Sequence, residues 1–174
     1  GLPEQTAMRR LRLAPALAAV LLAAACGSGS GPEAPPPSPQ PVTAESIGHY
    51  CGMTLNEHNG PKGQLFLKGR AAPVWFSSIK QVFAYTLLPE EPKTISAIYV
   101  NDMSTAGPDG VPDPAAWIEA RQAVYVIEGR FIGGMGAEDA MPFSRRADAE
   151  SFAQAHGGRV VNFADVPQAY VFAQ

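Results

Sequence analysis

Two sulfur donors of different kinds sit two residues apart in Cys51-Gly52-Met53, with His49 two residues before Cys51 and His58 five residues after Met53. A strand through residues 49–53 would send His49, Cys51 and Met53 to one side, because strand side chains alternate between faces. A thiolate beside a thioether suits a soft ion, Cu(I) above all. The same spacing fits a buried Cys51 acting as a small hydrophobe, with Met53 as core filler. Both readings stand on spacing alone. His58-Asn59-Gly60-Pro61 reads as a turn, in which His58 would be solvated.

The other cysteine, Cys26, lies in a different context. Met8-Arg9-Arg10-Leu11-Arg12 is basic, residues 13–25 are apolar, and small residues precede Cys26. That is the layout of a secretory signal over residues 1–25, with an apolar run too short to span a membrane. Leu22-Ala23-Ala24-Ala25-Cys26 resembles the bacterial lipobox, although Ala23 stands where a Leu is usual. The resemblance implies that Cys26 is acylated and anchors the chain, since several acyl chains hold where one would be marginal. An ordinary signal cut just before Cys26 is the alternative. Residues 26–45 follow as a linker. From 27 to about 41 they are Gly, Ser and Pro with almost no bulky apolar side chain, which predicts a solvated tether, extended around Pro35-Pro36-Pro37-Ser38-Pro39. With Cys26 committed to lipid, Cys51 is a lone thiol in an exported chain. That compartment favours disulfides, so a thiol left over suggests a metal, a redox partner or an intermolecular bridge.

The formal charge of the whole chain is −3. Without residues 1–25 there are ten bases against fifteen acids. No basic patch for phosphate exists, which argues against nucleic acid. The part after the linker is long enough for one domain or two small fused units.

A repeat points to the second arrangement. Leu65-Phe66-Leu67-Lys68-Gly69-Arg70 recurs as Tyr125-Val126-Ile127-Glu128-Gly129-Arg130, 60 residues on. Both read as apolar strands ending in a glycine turn. Trp75-Phe76-Ser77 and Pro142-Phe143-Ser144 then correspond at an offset of 67. Ser77 and Ser144 are each placed to cap a helix. The first helix carries a stripe of Ile79, Val82, Phe83 and Leu87, ending before Pro89. The second carries Ala149, Phe152 and Ala153, ending at Gly157-Gly158 with His156 favourably placed at its C-terminus. Apolar strands follow at 95–100 and 159–163. The expectation is an α+β fold of two related ββαβ units, 46–107 and 108–174, packed together because each alone is small for a core. The stretch around Pro108-Asp109-Gly110 and Pro112-Asp113-Pro114 reads as a turn-rich connector, with Trp117 at the seam.

The change of offset places seven extra residues between Arg130 and Pro142. They hold Gly133-Gly134-Met135-Gly136, where glycine flanks predict a mobile, exposed loop. Met135 is therefore either a further thioether ligand or a plug at the seam.

Cys51-Gly52-Met53, Gly60-Pro61-Lys62-Gly63-Gln64, Trp75-Phe76-Ser77-Ser78, Gly134-Met135-Gly136-Ala137-Glu138 and Pro142-Phe143-Ser144 together resemble NosL, the nitrous-oxide reductase accessory lipoprotein family. The resemblance covers nearly everything after the linker, and the lipobox belongs to the same pattern. It implies a fold similar to part of organomercurial lyase and Cu(I) binding in the periplasm. It also implies copper delivery for the copper-sulfide site of nitrous-oxide reductase, with an ABC-type membrane complex and its periplasmic subunit as partners. Cys51 and Met53 match the family's copper-binding Cys and Met. Met135 matches its glycine-loop Met, and His58 stands where many members have a His before Gly-Pro-Lys. The outer membrane is the default for the anchor, since Gly27 carries no inner-membrane retention signal. No general base accompanies Cys51 in the sequence, which favours a carrier over an enzyme. An organomercurial-lyase-like enzyme and a non-catalytic adaptor lipoprotein are the alternatives, the enzyme disfavoured by the want of a second thiol.

Overall fold

Each repeat string becomes the central strand of an antiparallel sheet. The structure, a computed structural model, describes residues 34–173. The signal segment and Cys26 lie outside the described residues. The elements run β1 (Gly63–Leu67), β2 (Val74–Phe76), α1 (Ile79–Leu87), β3 (Ile95–Asn101), β4 (Trp117–Glu119), β5 (Val124–Ile127), β6 (Met141–Phe143), α2 (Arg146–His156), β7 (Arg159–Asn162) and α3 (Gln168–Val171). The sheet orders are β2-β1-β3-β4 and β6-β5-β7. The repeat thus extends from sequence to topology: in both halves the first strand sits between the second and third. The class is α+β, with two ββαβ units.

The units share a core. Leu65 and Leu67 of β1, Phe76, and Ile98 and Val100 of β3 face inward with Ile79, Val82, Phe83 and Tyr85 of α1. The second sheet meets them with Tyr125, Ile127 and Val161, and α3 adds Tyr170 and Val171. Alternation along β5 then turns Val126 the other way. There it joins Met141, Phe143 and Ala149 under α2. Phe83 marks the seam, its ring 5.0 Å from Tyr125 and 4.8 Å from Phe163.

Several expectations need correction. Tyr85, not Leu87, completes the buried face of α1, and Leu87 is exposed. Ser78, not Ser77, caps α1, its hydroxyl accepting from Gln81 N at 3.4 Å. Ser144 caps nothing, for the residue before α2 is Arg145 and its side chain makes no capping bond. The connector at residues 108–114 is turn and irregular backbone, as expected, and leads into β4, which pairs with β3. Trp117 lies in β4 with its ring 6.3 Å from Trp75, away from the seam core.

The tether is shorter than its composition predicts. Residues 37–40 lie on the outer side of the first sheet. The buried Gln64 carboxamide accepts from Gln40 N at 2.8 Å and donates to Gln40 O at 2.9 Å. Tyr99 Oη donates to Pro37 O at 2.7 Å. One side-chain amide thus stands in for a neighbouring strand. Gln64→Met keeps the apolar stem but cannot make either bond. It should release residues 37–40 and lower stability by about 1–3 kcal/mol, the range for losing buried hydrogen-bond partners. Limited proteolysis would show this as faster cutting around residues 37–45 with the rest resistant. Unchanged protection there would refute the docking role of Gln64.

Candidate metal centre

Cys51 is held in a turn, not a strand. Gly48 N donates to Met53 O and Gly52 N to Gly48 O, both at 2.9 Å, and Ile47 bridges Thr54. Gly52 has φ of 67°, which glycine adopts without strain. His49 N donates to Trp75 O at 2.8 Å and hangs the turn on β2. Gly48 is required by packing, since a Cβ there would stand 2.5 Å from Cys51 Sγ.

This turn separates the residues that an extended run would align. The His49 ring leaves the sulfur and bonds Glu91 at 3.0 Å, and Tyr50 Oη donates to the same carboxylate oxygen at 2.8 Å. Burial opposes ionisation of Glu91, but these hydrogen bonds outweigh it and hold the carboxyl below its ordinary value. Met53 stays on the turn beside Cys51, with its side chain 44% exposed.

His58 takes the place His49 does not. It follows a single 3-10 turn, Leu55–Glu57, whose Leu55 is fully buried. Its Nδ1 bonds Gly134 O at 2.8 Å, and its Nε2 lies 3.8 Å from Cys51 Sγ. A carbonyl only accepts, so Nδ1 donates to Gly134 O and Nε2 is the ring nitrogen that faces the sulfur. The loop behind His58 is pinned by Lys62, whose Nζ donates to His58 O at 2.8 Å and to Gly60 O at 3.2 Å. Burial lowers the Lys62 ammonium from its ordinary value. His58 is therefore not a solvated turn residue. An imidazole thus stands beside the thiol, a neighbour that the sequence alone did not place there.

Met135 arrives from the second unit. The start of its loop is tightly packed while residues 135–137 are exposed, as the glycine flanks suggested. A Cβ on Gly134 would stand 2.5 Å from both Asn59 O and Ser77 O, and one on Gly133 would stand 2.4 Å from Asp139 Cβ. Gly133 and Gly134 are there for close approach. They bring Met135 Sδ to 3.1 Å from Ser77 Oγ, which lies 3.5 Å from Cys51 Sγ. Met135 is still 41% exposed.

Cys51, His58 and Met135 thus converge, Met53 is adjacent and exposed, and His49 belongs elsewhere. Sequence reasoning passed over Ser77 as a ligand neighbour, and Asp139 and Lys62 as supports. The one available signal was that Ser77 stands at the end of a repeated string. Among the described residues no three His, Cys, Asp or Glu side chains gather as a metal site. A zinc-like closed tetrahedron of such donors is therefore not built there. At 3.8 Å, Cys51 Sγ and His58 Nε2 are near enough for one ion to be held by both, with a thioether as a further soft donor.

A family model described as NosL matches residues 39–171. The copper-binding lipoprotein NosL of Achromobacter cycloclastes is 47% identical over 131 residues, spanning 75% of this chain and 68% of that one. The copper-binding lipoprotein NosL of Stutzerimonas stutzeri is 36% identical over 121 residues, spanning 70% of this chain and 62% of that one. The crystal structure of the copper chaperone NosL from Shewanella denitrificans aligns with a TM-score of 0.71 at 35% identity, covering 78% of this chain and 99% of that one.

Proposed function

Because this chain belongs to the NosL family, we propose that it is an extracytoplasmic Cu(I) carrier, with Cys51, His58 and Met135 as ligands and Met53 as an exchangeable donor. The observation that carries the reading is His58 Nε2 facing Cys51 Sγ at 3.8 Å, with a thioether brought to the same corner by the glycine loop. Coordination deprotonates the thiol, whose charge and softness then dominate the affinity. Imidazole and thioether add neutral donors that let the ion leave. The exposure of Met53 and Met135, 44% and 41%, opens one side of the site. A partner's ligand can attack there and displace a thioether before the thiolate lets go.

The destination we propose is the copper-sulfide site of nitrous-oxide reductase, reached through an ABC-type membrane complex and its periplasmic subunit. Anchoring through Cys26 in the periplasm, by default to the outer membrane, would keep the carrier near that complex. The relatives' names, copper-binding lipoprotein and copper chaperone, support copper carriage and a lipid anchor, family membership is consistent with the destination, and the lipobox-like segment supports the anchor.

The Cys51–His58 pair also gives a second reading some footing, that of a thiol enzyme with His58 as base. Against it stands the neighbourhood. Ser77 Oγ lies against the sulfur and Met135 Sδ against that hydroxyl, and Cys51 is the one free cysteine among the described residues. A thioether beside a nucleophile does nothing for bond cleavage, whereas it completes a soft ion's shell.

Anaerobic titration against a Cu(I) chelator, with a Zn(II) indicator in parallel, tests the proposal. One Cu(I) per chain, bound in preference to zinc, is expected. His58→Ala and Met135→Leu should each weaken Cu(I) by about tenfold or more, ~1.4 kcal/mol per decade, and Met53→Leu by less. The leucine changes keep volume and so the fold. A preference for zinc, or full Cu(I) affinity in both His58→Ala and Met135→Leu, would sink this ligand set.

A further inference from the structure

Ser77 is fully buried and carries one O–H proton. Three acceptors lie within its reach: Met135 Sδ at 3.1 Å, Gln81 Oε1 at 3.2 Å and Cys51 Sγ at 3.5 Å. It can serve one of them fully at a time. Gln81 sits on the first turn of α1, and its Oε1 also accepts from Ser77 N at 3.3 Å. Gln81 therefore keeps a partner when the hydroxyl turns to the sulfurs. Ser77 keeps a partner when it turns to Gln81. Neither orientation strands a buried polar group, so neither carries that penalty.

We propose that Ser77 is a positioning residue, donating to Met135 Sδ and so holding it beside Cys51 across the seam before metal arrives, and turning its O–H to Gln81 once the sulfurs are engaged. This rests on the copper reading given above and adds to it the part that orients the ligands. A thioether or thiolate whose lone pairs are donated to an ion is a poorer hydrogen-bond acceptor, while the Gln81 oxygen is unchanged. Loading therefore tilts the balance toward Gln81. Outer partners of this kind orient metal ligands, and losing one usually weakens binding by about 10–100-fold.

Three measurements test it. Methyl-labelled methionine NMR of metal-free protein reads the bridge without copper. Ser77→Ala should shift and sharpen the Met135 methyl line as the side chain is released, while Ser77→Thr, which keeps the hydroxyl, should stay near the parent. Cu(I) competition should show Ser77→Ala weaker by about 10–100-fold. Gln81→Leu should weaken binding severalfold alone but add almost nothing in the presence of Ser77→Ala, since both remove one switch. A folded Ser77→Ala with the parent's Met135 line and Cu(I) affinity overturns the bridge. Additive losses from Ser77→Ala and Gln81→Leu overturn the switch. Cys51→Ser in the same titration separates the two levels. If it binds Cu(I) like the parent, the copper reading fails. If it loses binding while Ser77→Ala does not, only the role of Ser77 fails.

Discussion

Cys51→Ser is expected to weaken Cu(I) binding by on the order of a thousandfold, about 4 kcal/mol, with the fold retained. Serine is nearly isosteric, so the turn closed by Gly48, Gly52 and Met53 should form unchanged. Its oxygen is hard and stays protonated near neutral pH, so it replaces neither the charge nor the softness of a thiolate. What remains is an imidazole and neutral thioethers, a set without charge to hold a cation. Competition titration gives the loss, and circular dichroism of the same sample shows whether the fold survives. A folded Cys51→Ser protein that binds like the parent would remove the centre of the copper reading and leave an adaptor.

The second large effect falls on stability. Asp139 is 2% exposed, and its carboxylate accepts from Ile79 N at 2.9 Å, Lys80 N at 2.8 Å and its neighbour Ala140 N at 2.9 Å. Two of these are free N–H groups at the start of α1, which need an acceptor from outside the helix. The acceptor comes from the far repeat and sits against Gly133, so one side chain ties α1 to the Met135 loop. Asp139→Ala should cost about 3 kcal/mol, from buried donors left unpaired and a weakened helix start. For a domain of this size that is on the order of 10 °C in Tm. A change below about 1 kcal/mol in denaturant unfolding would show that water replaces the carboxylate at little cost.

The same residue sets a pH dependence. Burial pushes the Asp139 carboxyl up from 3.8 to about 6, against the pull of its three N–H partners. The native state therefore holds this proton more tightly than the unfolded chain does. The stability it contributes is full below about 4 and falls away as pH rises through about 6. Asp139→Asn, which does not titrate, should flatten that slope, while losing stability at every pH because an NH2 replaces an accepting oxygen.

What was legible in the sequence was whatever local pattern encodes. The ββαβ order showed twice because strand strings, glycine turns and a helical stripe each occupy a few consecutive residues. Met135 showed because an insertion between matched repeats has to go somewhere. Contacts between distant residues left no such trace. His58 and Gly134 are 76 residues apart, and nothing near His58 distinguishes a ring held beside Cys51 by a remote carbonyl from that of a solvated turn residue. Asp139 follows Glu138 in a glycine-rich loop and reads as solvent-facing, yet it is the acceptor for another unit's helix. The proline-rich segment failed for a different reason. Its composition cannot form a core of its own, but it can lie on one already made, as it does over Gln64 and Tyr99. His49 was misplaced by assuming extension, where the positive φ of Gly52 turns the chain.

One consequence lies in where the donors come from. Cys51 and His58 belong to the first repeat and Met135 to the second, so the proposed donor set would be complete only while the halves are docked. Anything that binds the docked form alone shifts the unfolding equilibrium with its own concentration, by about 4 kcal/mol when the free ion stands a thousandfold above its Kd. Cargo would then act as a fastener. The loaded carrier would be sturdier than the empty one by a margin comparable to a native domain's own stability. A carrier that has just released its ion would be the form most open to degradation, and its lifetime outside the cytoplasm would follow the supply of what it carries.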